Sequence, residues 1–352
     1  MLVVGSDRVE LEPARPAART AAVCFRLNSR LYEGITVKAI QITEFGGPDV
    51  MHLVDLDNPT PGAGQELITV SAIGINYADT HQTENSYLSP QKLPLIPGIE
   101  VVGTTASGVR VLAPVDGGGY AQQAVTHSAT MIPIPDGVTD EQALCMLVQG
   151  STAWHILKTV GHVQPGETVV VHAAAGGVGT IAIQLAKMWG AKVIAVASSE
   201  GKRALATSLG ADVVVEATQE NLGDAIKAAN GGKRVNLILE MVGGKTFDDS
   251  LEILAPFGRL VTFGMASRVA PSMIQPATLM GGSKTITGFW LSHCFGKKEL
   301  MNDVIEQLFA LVVEGKLKPV IGATYPMSQA VIAHKAMRSR ETTGKITLDP
   351  KG

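Results

Sequence analysis

The sequence predicts an α/β protein in which a β-rich, barrel-like unit is followed by a doubly wound parallel sheet. Three observations point there. From Val37 to about Met131, short apolar segments alternate with period two and are broken by Gly and Pro. From about Val163, strand-like and helix-like segments follow one another in turn. Glycine reaches 38 residues while aromatics make up only 5%, a balance that suits tight strand-to-helix turns better than a carbohydrate-binding surface. The length of 352 residues corresponds to about two domains at roughly 150 residues each.

Residues 1–36 stand apart. Arg8, Arg15, Arg19, Arg26 and Arg30 are scattered among Pro13 and Pro16 without periodicity. No compact apolar stretch of a signal peptide is present, and Asp7, Glu10 and Glu12 argue against a transit peptide. A disordered extension is expected there. Val37–Ile42 and Glu66–Ile73 then alternate as half-buried strands. Gly46-Gly47-Pro48, Pro59-Thr60-Pro61-Gly62, Pro97-Gly98 and Gly117-Gly118-Gly119 supply turns between them, as in a small barrel.

Thr168-Val-Val-Val-His reads as a buried strand, Lys192–Ala197 as a second, and Leu237–Leu239 and Arg259–Phe263 as further ones. Val178, Ile181, Ala182, Leu185 and Trp189 recur at helical spacing, with Gly190 closing the helix. Glu299–Glu314 predicts an amphipathic helix, and Lys316–Pro326 and Lys345–Leu348 return to extended patterns. The expected division is 37–160 and 161–289, with 290–352 rejoining the first unit.

Composition excludes several function classes. Lys plus Arg is 29 and Asp plus Glu is 32, a formal charge of −3 spread along the chain, whereas nucleic-acid binders carry a basic face. Apolar residues at 45% and charged residues at 17% describe a well-filled core. No apolar run reaches the roughly 20 residues of a membrane span. Cys24, Cys145 and Cys294 are far apart in sequence, so neither a disulfide framework nor a cysteine-rich zinc site is expected. A reducing, cytoplasmic compartment follows as an expectation.

The strongest chemical signal is Val169-Val-Val-His-Ala-Ala-Ala-Gly-Gly-Val-Gly-Thr. Gly176, Gly177, Val178 and Gly179 lie between a buried strand and an amphipathic helix. A pyrophosphate needs close backbone approach and free amides at a helix N-terminus, and glycine permits both. An ordinary glycine-rich turn is the bland alternative. The preceding strand, the following helix and the second strand at the right distance favour a dinucleotide site. NAD enzymes usually end that second strand in an acid that holds the ribose 2′-hydroxyl. Here Ala197 is followed by Ser198, Ser199, Glu200, Gly201, Lys202 and Arg203. Two hydroxyls and two cations favour the 2′-phosphate of NADPH, unless Lys202 and Arg203 are only solvated charges at a helix start. Phe263-Gly264 ends a later strand, where ligands of open α/β sheets sit.

Together with Gly74-Ile-Asn-Tyr-Ala-Asp, Pro97-Gly-Ile-Glu and Gln149-Gly-Ser-Thr-Ala-Trp, these residues resemble the medium-chain dehydrogenase/reductase superfamily from Val37 onward. Within it the sequence is most similar to the zinc-independent NADPH:quinone oxidoreductase (zeta-crystallin-like) branch. The resemblance implies a GroES-like catalytic domain built from both ends of the chain around a Rossmann NADPH-binding domain. It implies homodimerisation through an edge strand of the Rossmann sheet. Asn76 would direct its amide at the nicotinamide or the substrate carbonyl, or else hold a loop. Asp79 would be a cap or loop anchor. Tyr87 would donate a proton or a hydrogen bond, or pack at a pocket rim; the glycine usual before it is Ser86 here. Thr152 matches a position that touches the cofactor, and Trp154 reads as core. Gly288-Phe-Trp-Leu resembles the same motif in mitochondrial-type enoyl-thioester reductases, so Phe289 and Trp290 would wall the nicotinamide and acyl pocket or form an interface patch. Lys345 would approach the cofactor phosphate.

Zinc-dependent members carry ligands at the positions of Asn76, Ile99 and Val148, and these side chains cannot complete a tetrahedral zinc site. Without a Lewis acid, alcohol oxidation is poorly supported. The expected activity is NADPH-dependent hydride transfer to a quinone or an activated α,β-unsaturated carbonyl. The alternatives are an enoyl-thioester reductase and a non-catalytic NADPH-binding, crystallin-like protein.

Overall fold

Two large sheets, with a small two-stranded one that pairs Thr36–Gln41 with His52–Asp57, organise the protein in a computed structural model that describes residues 36–352. The extension expected over 1–36 lies, apart from Thr36, outside the described residues.

The second sheet is the simpler one. Its spatial order is Val213–Glu216, Lys192–Ala197, Thr168–Val171, Val235–Glu240, Leu254–Thr262 and Thr285–Gly288. Every neighbouring pair is parallel. The order reverses between Thr168–Val171 and Val235–Glu240, which places a crevice beyond their carboxyl ends. Thr168–Val171 is buried along its whole length, and its run of β-branched residues suits a strand covered on both faces. The helix after it spans Gly177–Met188 and buries Ile181, Ala182 and Leu185 against the sheet. The sequence therefore predicts the doubly wound sheet correctly.

The first sheet has seven strands. Gln65–Ile75 is its spine, pairing antiparallel with Glu100–Thr105, Gln123–His127 and Lys345–Asp349. Lys345–Asp349 in turn holds Ile321–Pro326 in parallel. The C-terminal strands thus complete the sheet built by residues from the other end of the chain.

Between the sheets runs a helical stretch, Asp140–Thr159. It opens on a Thr139 cap that accepts from the Gln142 N–H. It contains two π-helical turns, Met146–Gly150 and His155–Thr159. Leu144, Met146, Leu147, Ile156 and Leu157 share one core with Val169, Val171, Ile181 and Leu185. Ile305 and Leu308 of helix Asn302–Val313 belong to that core too. The expected division at 160 thus falls after a segment that packs on both units, on Gln65–Ile75 and Glu100–Thr105 at its start and on helix Gly177–Met188 further along. Helix Ala330–Arg338 instead packs Ala330 and Ala333 into the core of the first sheet.

Candidate active site

A cavity of about 370 Å³ opens between the carboxyl ends of the parallel strands and the first unit. Gly176, Gly177, Val178 and Gly179 line one side. The amides of Gly177, Val178 and Gly179 are the first three of their helix and have no intrahelical carbonyl to bind. Gly179 is required by close approach: a Cβ there would meet the Ala173 carbonyl oxygen at 2.5 Å and the Ala174 Cα at 2.8 Å. His172, at the end of the preceding strand, donates to or accepts from Ser250 Oγ at 2.9 Å. Burial pushes its imidazole down to about 4, so it is neutral and structural near pH 7.

Ser198 and Lys202 also line the cavity. Ser199 does not, and the expectation for it is corrected: its hydroxyl is exposed and accepts the Lys202 backbone N–H as the cap of helix Glu200–Ser208. Lys202 Nζ hydrogen-bonds the Arg340 carbonyl. Burial, and then the Arg340 guanidinium, hold this ammonium below its usual range. Arg340 lines the same wall, from a left-handed backbone at φ 59°. The second cation of the pair is thus Arg340, because Arg203 faces away toward Glu216 at 3.7 Å. Lys202 and Arg340 are 138 residues apart in sequence, so no local pattern could have joined them. Neither forms an ion pair with a carboxylate among the described residues.

Asn76, Tyr87 and the unexpected His81 and Tyr77 also line the cavity. Asn76 caps helix Tyr77–Glu84. Its backbone N–H donates to Asp79 Oδ2 at 2.8 Å, which confirms the anchoring role read for Asp79. Its side chain is almost fully buried and doubly held. Nδ2 donates to Glu100 Oε1 at 2.7 Å, and Oδ1 accepts from Lys345 Nζ at 3.1 Å. An ammonium only donates and a carboxylate only accepts, so these two partners fix which end of the amide is which. One N–H of Nδ2 remains for the cavity. Gly74 makes room for this arrangement, since a Cβ there would sit 2.6 Å from Glu100 Oε1.

Lys345 is therefore corrected as a phosphate contact. Its ammonium is wholly buried and ion-paired with Glu100, because a charge out of water needs an opposite partner. Its neighbour Gly344 lines the cavity instead. Glu100 uses its second oxygen to accept the Val148 N–H at 3.1 Å. Asp79 Oδ2 also accepts from the Tyr120 hydroxyl at 2.9 Å, and burial raises the Asp79 carboxyl to about 7.

Tyr87 stacks on His81 with ring centres 5.1 Å apart, and burial pushes its phenol up. Thr152, Phe263, Gly264, Phe289 and Trp290 complete the lining. Phe289 stacks on His155 at 5.5 Å. Trp154 is core, edge-on to Trp189 at 5.2 Å. Asn76, Ile99 and Val148, which occupy the zinc-ligand positions, all face the same cavity and bring no thiolate, imidazole or carboxylate to it.

A doubly wound sheet joined across such a cleft to a second, β-rich unit defines the alcohol dehydrogenase-like class of two-domain folds. Comparison with known proteins agrees. Residues 62–136 match the alcohol dehydrogenase GroES-like domain and residues 177–310 match the zinc-binding dehydrogenase family; the second stretch includes none of the three positions just named. The chain is 31% identical to the quinone oxidoreductase of Pseudomonas aeruginosa over 89% of its length and 99% of that protein. It is 33% identical to the quinone oxidoreductase of Rattus norvegicus over 89% and 97%. The structure of Escherichia coli quinone oxidoreductase complexed with NADPH superposes with a TM-score of 0.84 at 30% identity, covering 89% of this chain and 100% of that one. The Thermus thermophilus enzyme, solved alone and with NADPH, gives 0.80 at 35% identity, covering 89% and 99%. The chain belongs to the medium-chain dehydrogenase/reductase superfamily, in its quinone oxidoreductase branch.

Proposed function

We propose that the protein is an NADPH-dependent, zinc-independent oxidoreductase that reduces a quinone or an activated α,β-unsaturated carbonyl. One observation carries this reading: a single cavity has a glycine turn, an unpaired Lys202–Arg340 couple and a fixed Asn76 donor along its length. The chain's residues fit the cofactor. The Gly176–Gly179 amides accommodate a pyrophosphate, and Ser198, Lys202 and Arg340 suit a 2′-phosphate. Bound there, NADPH supplies hydride. Thr152, Phe263, Gly264, Phe289 and Trp290 form the mainly apolar walls that position the reactants. The free N–H of Asn76 binds the acceptor oxygen as negative charge develops on it.

The test is NADPH oxidation by the purified protein against quinones, enones and enoyl-CoA thioesters, with NADH alongside. Turnover of quinones with preference for NADPH is expected. Binding without turnover over the whole panel would leave a non-catalytic, crystallin-like role. Phe289 and Trp290 in the cavity wall favour a second reading, enoyl-thioester reduction, and saturation of an enoyl-CoA in preference to quinones would select it. Homodimerisation is part of the proposal. Strand Thr285–Gly288 is an outer strand of its sheet among the described residues, and Phe257 and Met280, on the segments beside it, are each 79% exposed.

A further inference from the structure

The proposed reduction consumes a proton as well as a hydride, and the residue that delivers it can be sought in the cavity. His81 is 2% exposed and lines it. It lies on helix Tyr77–Glu84, between the ring of Tyr77 at 5.8 Å and that of Tyr87 at 5.1 Å. Its two nitrogens meet different surroundings. Nδ1 is 2.9 Å from Ser86 Oγ, and Ser86 is exposed to solvent. Nε2 has no hydrogen-bond partner among the described residues. The Ser86 hydroxyl donates to Glu84 Oε2 at 3.2 Å, and in that orientation its oxygen accepts from Nδ1–H; turned the other way it donates to Nδ1. Glu84 is held in place by Arg268 at 2.9 Å and Arg338 at 2.7 Å, from two other segments. A buried imidazole thus bridges bulk water and the reaction cavity through an exposed hydroxyl.

We propose that His81 is a catalytic proton relay, passing a proton from the Ser86 hydroxyl to the reduced acceptor. The inference rests on the reductase reading above. The relay starts with the Ser86 hydroxyl turned from Glu84 to Nδ1, which puts the ring proton on Nε2; in the step, the Nε2–H bond breaks, its electron pair stays on the ring, and the proton forms an O–H bond on the quinolate oxygen. At the same time Nδ1 takes the Ser86 hydroxyl proton, and Ser86 regains one from water. Both reducing electrons arrive with the hydride. A relay of this kind needs a neutral ring, with a proton on one nitrogen and a lone pair on the other. The groups facing His81 are Ser86, Glu84, Tyr77, Tyr87, Arg268 and Arg338. Burial, followed by the Arg268 guanidinium, holds its imidazolium below the usual range, against the opposing pull of Glu84. The ring is therefore neutral near pH 7.

The test compares wild type, His81→Gln and Ser86→Ala at pH 7.5 in NADPH-linked quinone reduction and in proton inventories over mixtures of light and heavy water. NADPH affinity, measured by fluorescence titration, reports that each variant is folded. Wild type should give a curved inventory, from more than one proton in flight. His81→Gln should lose at least about tenfold in kcat, within the range typical of proton-transfer catalysis. It should keep its NADPH affinity and show no curvature. Ser86→Ala should lose kcat by a smaller factor and straighten the plot. Wild-type turnover with kcat and inventory unchanged in His81→Gln would overturn the relay alone. Absence of any NADPH-linked turnover in wild type would overturn the reductase reading, and the relay with it.

Discussion

The amide of Asn76 is useful to a reaction only if it presents nitrogen rather than oxygen to the cavity, and two buried charges decide that. Lys345→Met removes the ammonium and strands the Glu100 carboxylate. Breaking a buried pair typically costs about 3–5 kcal/mol, and chemical denaturation should show a loss of that order. The double variant Glu100→Gln/Lys345→Met should recover much of the stability but not kcat, since neither remaining partner sets the amide's direction. Equal recovery of both would show that orientation is irrelevant. Lys202→Glu should raise KM for NADPH at least about tenfold while leaving KM for NADH nearly unchanged, because only the former carries the additional phosphate. Steady-state kinetics with both cofactors checks this. That Asn76, Tyr87 and Lys202 share one cavity was legible in the sequence because each sits in a local motif. Arg340 and the Glu100–Lys345 pair were not: their roles come from contacts between distant segments, and Lys345 was assigned to the cofactor phosphate for that reason; His81 keeps local partners, but nothing in its spacing marks a ring that faces the cavity.

The helix Gly177–Met188 illustrates how an element can be read from periodicity alone. Its apolar residues repeat at helical spacing, and the glycines before it announce the turn. Gly179→Ala should destabilise the protein by about 1–3 kcal/mol, the usual cost of forcing an added methyl group into a packed interior, and a thermal melt would register it. An unchanged melting temperature would show that strand and helix can separate freely. The π-helical turn Met146–Gly150 is the contrasting case. Nothing in its composition marks an i→i+5 pattern. The cause is tertiary: the Val148 N–H donates to Glu100 instead of to the preceding helical turn. The same turn presents Val148 and Gln149 to the cavity, and Thr152 follows from the α-helical turn Ser151–Trp154. Its short neighbours, such as helix Asp140–Leu144, were equally hidden, because five residues carry too little periodicity to be recognised.

For the whole molecule, buried titratable groups set how stability responds to pH. His172 and His334 are both pushed down to about 4 by burial, so between that value and the ordinary histidine range only the unfolded chain takes up their protons. Their contribution to stability is complete above that range and is lost as pH falls through it. Asp79, raised to about 7, acts in the opposite sense: the folded state holds its proton, and the benefit is lost as pH rises toward 7. With His81 and His155 lowered as well, the histidines outweigh Asp79 and Glu240, and stability should rise with pH between roughly pH 5 and 6. Denaturant titrations across that window measure the slope, and a flat or inverted profile would contradict the burial of the two histidines. Sedimentation velocity tests the assembly: a dimer is expected, and a charged substitution such as Met280→Glu should shift it toward monomer. The six residues from Arg340 to Lys345 have a consequence of another kind. Arg340 meets Lys202, the Gly344 N–H bonds the Ala175 carbonyl at 2.9 Å, and Lys345 holds Asn76. A chain cut short before Arg340 would therefore still carry every strand of the parallel sheet and yet lack one wall of the cavity.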